Sequence, residues 1–187
     1  MALTTETGTN CLTQAEDAMA GALVASDQFR QWAAGHGETP LSEADAAERV
    51  RIDQFDLPDD GMAFTQEEIE QRGSLVLVMA DIEEGFGLRT GPGNQTISAS
   101  GMVLVVFEEF TPEAAAAGIN LERRMKNHLV TIMFEAYTHL LATRGDRWLA
   151  GLDMKQPPTA LALPRHDRVV GHRLQSALAL QFGREEG

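Results

Sequence analysis

Alternating apolar and polar residues predict a strand in the C-terminal part of the sequence. Leu174, Ser176, Leu178, Leu180 and Phe182 take every second position, and polar or small residues lie between them. A period of two is typical of a strand that buries one face. We therefore predict a strand over residues 173–182. Its core anchors are Leu178, Leu180 and Phe182, which we expect to face a long helix.

Two continuous apolar runs predict two further strands, over residues 74–84 and 100–110. Such runs are typical of strands that are buried on both faces or covered by a helix. The segment between them, 85–100, is rich in Gly, Asn, Ser and Thr, and it is too long for a tight turn. We predict that it forms an extended, mobile hairpin loop that contacts a partner.

Apolar residues at three- and four-residue steps predict a long helix over residues 120–143. Its apolar stripe comprises Leu121, Met125, Leu129, Ile132, Met133, Ala136, Leu140 and Leu141. Phe29 and Trp32 share one face of a shorter predicted helix. We predict that Phe29, Trp32, Leu129 and Ile132 are core anchors, with both aromatic rings packed beneath the long helix.

The order of the predicted elements indicates the fold class. Helices come first, followed by a strand, a hairpin, the long helix and a last strand. Ser26 and Thr65 are predicted N-caps, because each precedes a run that fits a helix start. Helices on one face of a mostly antiparallel sheet form the α+β arrangement. We predict a single α+β domain over residues 1–187, with a sheet of about four strands.

The charge of the chain is strongly negative and unevenly placed. The sequence holds 15 Lys and Arg against 28 Asp and Glu, a net charge of −13. This balance argues against a protein that grips nucleic acid through its phosphates. Residues 38–84 hold fourteen acids and three arginines, whereas ten Lys and Arg outnumber seven acids from residue 119 onward. Two interpretations stay open: a solvated acidic face, or unlike faces of neighbouring copies that meet around a ring.

Cysteine content and hydropathy indicate the compartment. Cys11 is the only cysteine, so we expect no internal disulfide and a reducing compartment at synthesis. The first ten residues have neither a basic start nor an apolar run, so no signal peptide is predicted. The longest apolar runs are too short to cross a bilayer. We expect synthesis in the cytoplasm and no membrane partner.

No motif for nucleophilic catalysis or phosphate binding is present, and we predict no catalytic, cofactor-binding or metal-ligating residue. One set of carboxylates leaves an alternative open. It consists of Asp81, Glu83, Glu84, Glu108 and Glu109. These residues lie near predicted strand ends across the hairpin, where a two-metal nuclease holds its carboxylates. A small metal-dependent hydrolase or nuclease is therefore an alternative function.

A second set of polar residues lies on the long predicted helix. Glu135 and His139 are one turn apart, and His128 lies two turns before Glu135. Two ligands do not make a metal site, and no H-E-x-x-H or C-x-x-C motif accompanies them. We interpret them as residues of the polar face of an amphipathic helix.

Two segments resemble a known family. LVASDQFRQWAAG (23–35) and AAERVRIDQF (46–55) resemble the N-terminal region of phage tail-terminator and neck proteins. In that family a helix leads to a serine, a short helix with Phe and Trp, an alanine-rich turn and an edge strand. The last predicted strand, with apolar residues alternating after an arginine, is similar to the family's last strand. The resemblance covers about the first third of the chain and this strand.

The resemblance implies a structural virion protein without catalytic residues. Family members form a hexameric ring that stops growth of the tail tube and docks below the head connector. The implied partners are further copies of the chain, the tail tube protein and a head-completion or connector protein. The implied location is the tail neck of the virion, after assembly in the host cytoplasm. DNA would pass through an acidic lumen without adhering, because like charges repel.

Polar residues of the hairpin loop and the last strand are candidates for contacts between subunits in such a ring. They are Arg89, Asn94, Gln95, Arg173 and Arg184. Joining small sheets around a ring would also satisfy strand edges that otherwise invite aggregation. A cytoplasmic oligomeric adaptor of similar fold is the remaining alternative.

Overall fold

The structure is a computed structural model, and it describes residues 11–35, 38–52, 63–91, 94–111, 121–143, 161–162, 166–168 and 171–186. The helices in this part of the chain are α1 (Cys11–Ala25), α2 (Asp27–Ala34), α3 (Glu43–Ala47), α4 (Gln66–Arg72) and α5 (Leu121–Ala142). The strands are β1 (Val50–Ile52), β2 (Ser74–Gly91), β3 (Asn94–Thr111), β4 (Leu161–Ala162), β5 (His166–Arg168) and β6 (Gly171–Glu186). None of the described helices is long and apolar enough to span a membrane.

Local capping sets the start of the short helices. The Ser26 hydroxyl accepts a hydrogen bond from the Phe29 backbone N–H at 3.0 Å, which fixes the first turn of α2. Thr65 and Glu68 form a reciprocal capping box at the start of α4. Gly35 ends α2 with a φ of 99°, a conformation that a residue with a side chain rarely adopts. Both predicted N-caps are confirmed.

The described strands form one mixed sheet in the order β1-β2-β3-β6-β4, with β5 also paired to β6. The predicted α+β class is therefore confirmed. The predicted count of about four strands is wrong in detail. The described sheet has three long strands, β2, β3 and β6, and three short strands of two or three residues each. The sheet is also partly parallel: β1 runs parallel to β2. The chain crosses over through α4 between these two strands, and such a crossover is what parallel pairing requires.

The hairpin is longer than predicted, and the predicted extended loop over 85–100 is wrong. β2 and β3 pair from Ser74 with Glu109 as far as Gly91 with Asn94, so only 92–93 separate the two strands. Register shifts occur between Asp81 and Gly87. The glycine-rich composition favoured a loop, but β6 supplies a second paired neighbour for β3 along this segment. Tertiary pairing here overrides weak local strand preference.

The predicted last strand is confirmed and extends beyond both predicted ends. β6 pairs with β3 from His172 to Glu186. The register places Leu178 opposite Val105, Leu180 opposite Val103, and Phe182 opposite Gly101. The environment of these three predicted core anchors lies outside the side chains that the structure describes. Their backbone positions are nevertheless paired with, or next to, residues of the buried core.

The main core lies between the sheet and helices α1, α2, α3 and α5, and we call it the helix-side core. Its members include Phe29, Trp32, Leu129 and Ile132, each at most 3% exposed. The Trp32 ring contacts the Phe29 ring at 5.9 Å and meets the Phe107 ring edge-on at 5.6 Å, measured between centroids. These four predicted anchors thus lie in the core, and the two aromatic rings join α2 to the sheet.

A second, smaller core covers the opposite face of the same strands, and we call it the α4-side core. It consists of Ala63, Phe64, Ile69, Leu75, Leu77 and Val106. α4 supplies Ile69, which is fully buried. The proximal part of β2 and β3 is therefore covered on both faces, which explains why the sequence there is continuously apolar.

Past the described members of these two cores the three long strands continue as a paired extension, which we call the distal arm. It comprises β2 from Asp81 to Gly91, β3 from Asn94 to Met102, and β6 from Gln181 to Glu186. β2 has 18 residues, or about 60 Å at the usual rise per residue. α5 has 22 residues, about 33 Å. The sheet is therefore much longer than the longest described helix.

Candidate functional site

Three sets of residues could carry a function: buried carboxylates, the predicted interface residues, and the exposed surfaces of the helices. The first set begins with Glu109 on β3, which is 2% exposed. Its carboxylate accepts a hydrogen bond from Trp32 Nε1 at 3.1 Å and pairs with an Arg124 guanidinium nitrogen at 2.9 Å. The charged group therefore joins β3 to α2 and α5.

Glu108 is the neighbour of Glu109, but it lies on the other face of the sheet. It is fully buried, and its Oε1 accepts a hydrogen bond from the Ala63 backbone N–H at 2.6 Å. The carboxylate thereby fixes the segment that leads into α4. Successive residues of a strand point to opposite faces, so the two carboxylates cannot share one ligand.

The predicted cluster of hairpin carboxylates is wrong. Asp81 is paired with Met102, six residues along β3 from Glu108, which is roughly 20 Å at the rise of a strand. Glu83 and Glu84 lie farther along the same strand. The register therefore separates the five carboxylates into two groups. Within the described residues, no group of three or more His, Cys, Asp or Glu is placed to hold a metal ion.

Glu135 on α5 holds the start of α2. Its Oε2 accepts hydrogen bonds from the Ser26 hydroxyl at 2.7 Å and from the Gln28 backbone N–H at 2.9 Å. The Gln28 side-chain amide in turn contacts His128 Nδ1 at 2.7 Å. A negative charge at a helix N-terminus is stabilising, because it faces unpaired N–H groups. Glu135 and His128 thus join two helices.

Glu16 is a buried carboxylate that sequence analysis missed. It is 6% exposed, and its Oε1 accepts a hydrogen bond from the Ala80 backbone N–H at 2.8 Å. Burial raises the pKa of Glu16 above its ordinary value, the Ala80 hydrogen bond opposes this change, and nearby Asp17 adds to it. Glu16 precedes an apolar helical run, and nothing local in the sequence marks it as buried.

The predicted interface residues fall into two groups that lie far apart. Arg89, Asn94 and Gln95 are at the hairpin end of the distal arm, and Arg184 is on β6 opposite Ala99. Arg173 is instead opposite Phe110, eleven residues from Ala99 along β3. This spacing amounts to roughly 36 Å. The structure therefore brings four of the five to the arm and places Arg173 at the other end of the sheet.

One exposed apolar surface was not predicted. Val130 and Phe134 are 67% and 68% exposed on α5, and Leu141 is 42% exposed. Leu141 was predicted to belong to the single apolar stripe of this helix, and that is wrong, because it lies on the exposed side. The signal that could have revealed this surface is a second set of apolar positions at four- and seven-residue steps, opposite the first set.

The exposed acids of the described residues concentrate on another surface. α3, β1 and α4 are neighbours, because Arg51 pairs with Glu68 and Arg72 donates a hydrogen bond to the Glu48 carbonyl at 2.5 Å. Exposed acids of this surface are Glu43, Asp45, Glu48, Glu67 and Glu70, and we call them the acidic face. Ile52 is 43% exposed at the end of β1, and it points to the opposite face of the sheet from Arg51, which pairs with α4. Five exposed acids of the acid-rich segment 38–84 thus lie on one surface of the described structure.

Comparisons with known proteins add no family assignment. A scan of the sequence against models of known families gives no match, and a comparison with curated proteins gives none either. Function must therefore be argued from the fold and from these surfaces.

Proposed function

We propose that this chain is a structural virion protein that forms a ring at the junction of phage head and tail. The ring would end the tail tube, join it to the head connector and let DNA pass through its lumen. The proposed partners are further copies of the chain, six in a ring, together with the tail tube protein and a head-completion protein. The proposed location is the tail neck.

The observation that carries this proposal is the distal arm. Three strands stay paired past the described core residues, and within the described residues β1 pairs with β2 only at Val76–Val78. In the same described part of the chain, β4 pairs with β6 only at Ser176 and Ala177. Among the described strands, the arm is therefore a ribbon with edges β2 and β6 as far as Ile97, where pairing with β6 ends. Sheet edges bind other strands readily, and edge-to-edge joining around a ring would satisfy them.

The engagement of the described buried carboxylates also fits a structural role. Glu16, Glu108, Glu109 and the half-buried Glu135 each bind a backbone N–H, an indole or a guanidinium that holds two elements together. Their chemistry is used to fix the fold. The net charge of −13 further supports passage of DNA, because an acidic channel has little affinity for phosphates.

Native mass spectrometry and negative-stain electron microscopy of the purified chain test this proposal. We expect a closed ring of about six copies with an open centre, and no retardation of duplex DNA on a gel at physiological salt. A strictly monomeric chain, or one that binds duplex DNA tightly under these conditions, would contradict it. Tail preparations offer a second test, because the ring should cap the tube end that meets the head.

A further inference from the structure

The exposed apolar residues of α5 form one stripe. Val130, Phe134 and Leu141 are separated by four and seven residues, and at 100° per residue they project on one side of the helix. The buried residues Leu129, Ile132 and Ala136 project on the other side, toward the helix-side core. α5 therefore presents one apolar face to the fold and a second apolar face outward.

Basic residues continue this outward stripe toward the start of α5. Lys126 lies four residues before Val130 and Arg123 lies seven before it, so both fall on the same side of the helix, and both are exposed. Over the described side chains of 123–143, the only acid is Glu135, which is bound to Ser26 and Gln28. The outward surface of α5 is thus apolar with a basic end.

The acidic face has the complementary character. It displays exposed carboxylates from both α3 and α4. Among the described side chains of α3, β1 and α4, the exposed base is Arg72. An acidic surface is complementary in charge to the basic end of the α5 stripe.

We propose that the outward stripe of α5 in one subunit packs against the acidic face of the next subunit. This inference rests on the proposed ring and names the two faces that meet in it. Contact between two different faces repeats from copy to copy and closes into a ring when the rotation allows. Packing of α5 against α5 of a second copy would stop at a dimer, and it would leave the acidic face without a role.

Two complementary variants test the pairing. Phe134→Ser with Lys126→Glu alters the stripe, and Glu48→Lys with Glu70→Lys alters the acidic face. All four positions are exposed, and the acidic-face changes avoid helix N-termini, where lysine would oppose the dipole. Each variant alone should show at least a tenfold higher dissociation constant for self-association by analytical ultracentrifugation.

An equimolar mixture of the two variants gives the decisive measurement. Each variant keeps one intact face, so the mixture should form heterodimers through the wild-type α5 of one and the wild-type acidic face of the other. Failure of the mixture to associate would overturn the proposal, and so would wild-type assembly by the acidic-face variant alone. Asp17→Lys reverses an exposed acid on α1 outside both faces, and it should assemble like wild type.

A photo-crosslinking group at position 134 separates this proposal from the ring itself. In the wild-type background it should attach to a peptide of α3 or α4 from another copy, whereas attachment to α5 would overturn the pairing. Closed rings that persist in both variants would reject these faces and leave the proposed function intact. Open chains formed by the wild type, together with heterodimers formed by the mixture, would support the faces and reject the ring. A wild-type chain that stays monomeric at high concentration would overturn both.

Discussion

Glu108 and Glu109 are adjacent on β3, yet they stabilise the protein in different ways. Glu109 lies on the helix-side face of the sheet, where its carboxylate pairs with Arg124 and accepts a hydrogen bond from Trp32. Glu108 lies in the α4-side core, where its partner is the neutral N–H of Ala63. The helix-side core is large and joins four helices to the sheet, whereas the α4-side core is small and holds one helix of seven residues. We therefore expect substitution of Glu109 and substitution of Glu108 to lower the free energy of unfolding by different amounts.

The largest expected effect is on the helix-side core. Trp32→Ala removes a fully buried ring that contacts Phe29 and Phe107, and it removes a hydrogen-bond donor to Glu109. We expect the free energy of unfolding to fall by about 3–5 kcal/mol, measured by urea denaturation. Phe64→Ala is the matched truncation in the α4-side core. Its loss should be smaller, because α4 can detach while the rest stays folded; equal losses would show that the two cores unfold as one.

The second prediction concerns the buried charge pair. Arg124→Met should destabilise the fold by about 3 kcal/mol, because the Glu109 carboxylate then stays buried without its cation. Adding Glu109→Leu should recover part of this loss, since replacing both partners removes the unpaired charge. Denaturant unfolding of the single and double variants measures the difference. A double variant less stable than Arg124→Met would show that Glu109 contributes chiefly through Trp32.

Local sequence patterns predicted the parts of the fold that depend on neighbouring residues. The caps at Ser26 and Thr65 need only residues within one helical turn, so both could be found. The long helix and the last strand followed from periodicity. The distal arm was missed because its pairing with β6 joins residues about 85 positions apart, as Ser98 with Glu185 shows.

The candidate sites depend even more than the fold on contacts between residues that are far apart in the sequence. Glu109 was expected near a strand end, in a cluster of carboxylates. Instead, Arg124 of α5 and Trp32 of α2 contact its carboxylate. Val130 and Phe134 were left without a role, because one apolar stripe already accounted for burial of α5. Which of two apolar faces meets the core depends on the partner surface, and periodicity alone does not specify it.

The third prediction tests the other face through Glu108. Glu108→Gln should cost only about 1 kcal/mol, because the amide oxygen can still accept the Ala63 hydrogen bond. Hydrogen exchange of the Ala63 amide should remain slow in this variant. Glu108→Leu is the control that removes the acceptor, and it should speed exchange at Ala63. Fast exchange in both variants would mean that the negative charge itself holds this segment.

The smallest expected effect is at Glu16 and depends on pH. Because its pKa is raised in the fold, the native chain keeps this proton to a higher pH than the unfolded chain does. Stability from this group is therefore full below the ordinary value of 4.5 and falls as pH rises through the folded pKa. Glu16→Gln should match wild type below that value and be slightly more stable at neutral pH, as thermal unfolding across pH can show. Glu70→Gln, on exposed α4, should shift neither curve.

The position of β6 in the sequence also sets the order in which the sheet can form during synthesis. Sixty residues separate Thr111, at the end of β3, from Gly171, at the start of β6. At ribosomal rates of about 5–20 residues per second, the β2–β3 hairpin waits roughly 3–12 s for its third strand. During this interval one long edge of β3 remains unpaired in the nascent chain. A chaperone that shields strand edges would therefore be needed most between the synthesis of α5 and that of β6.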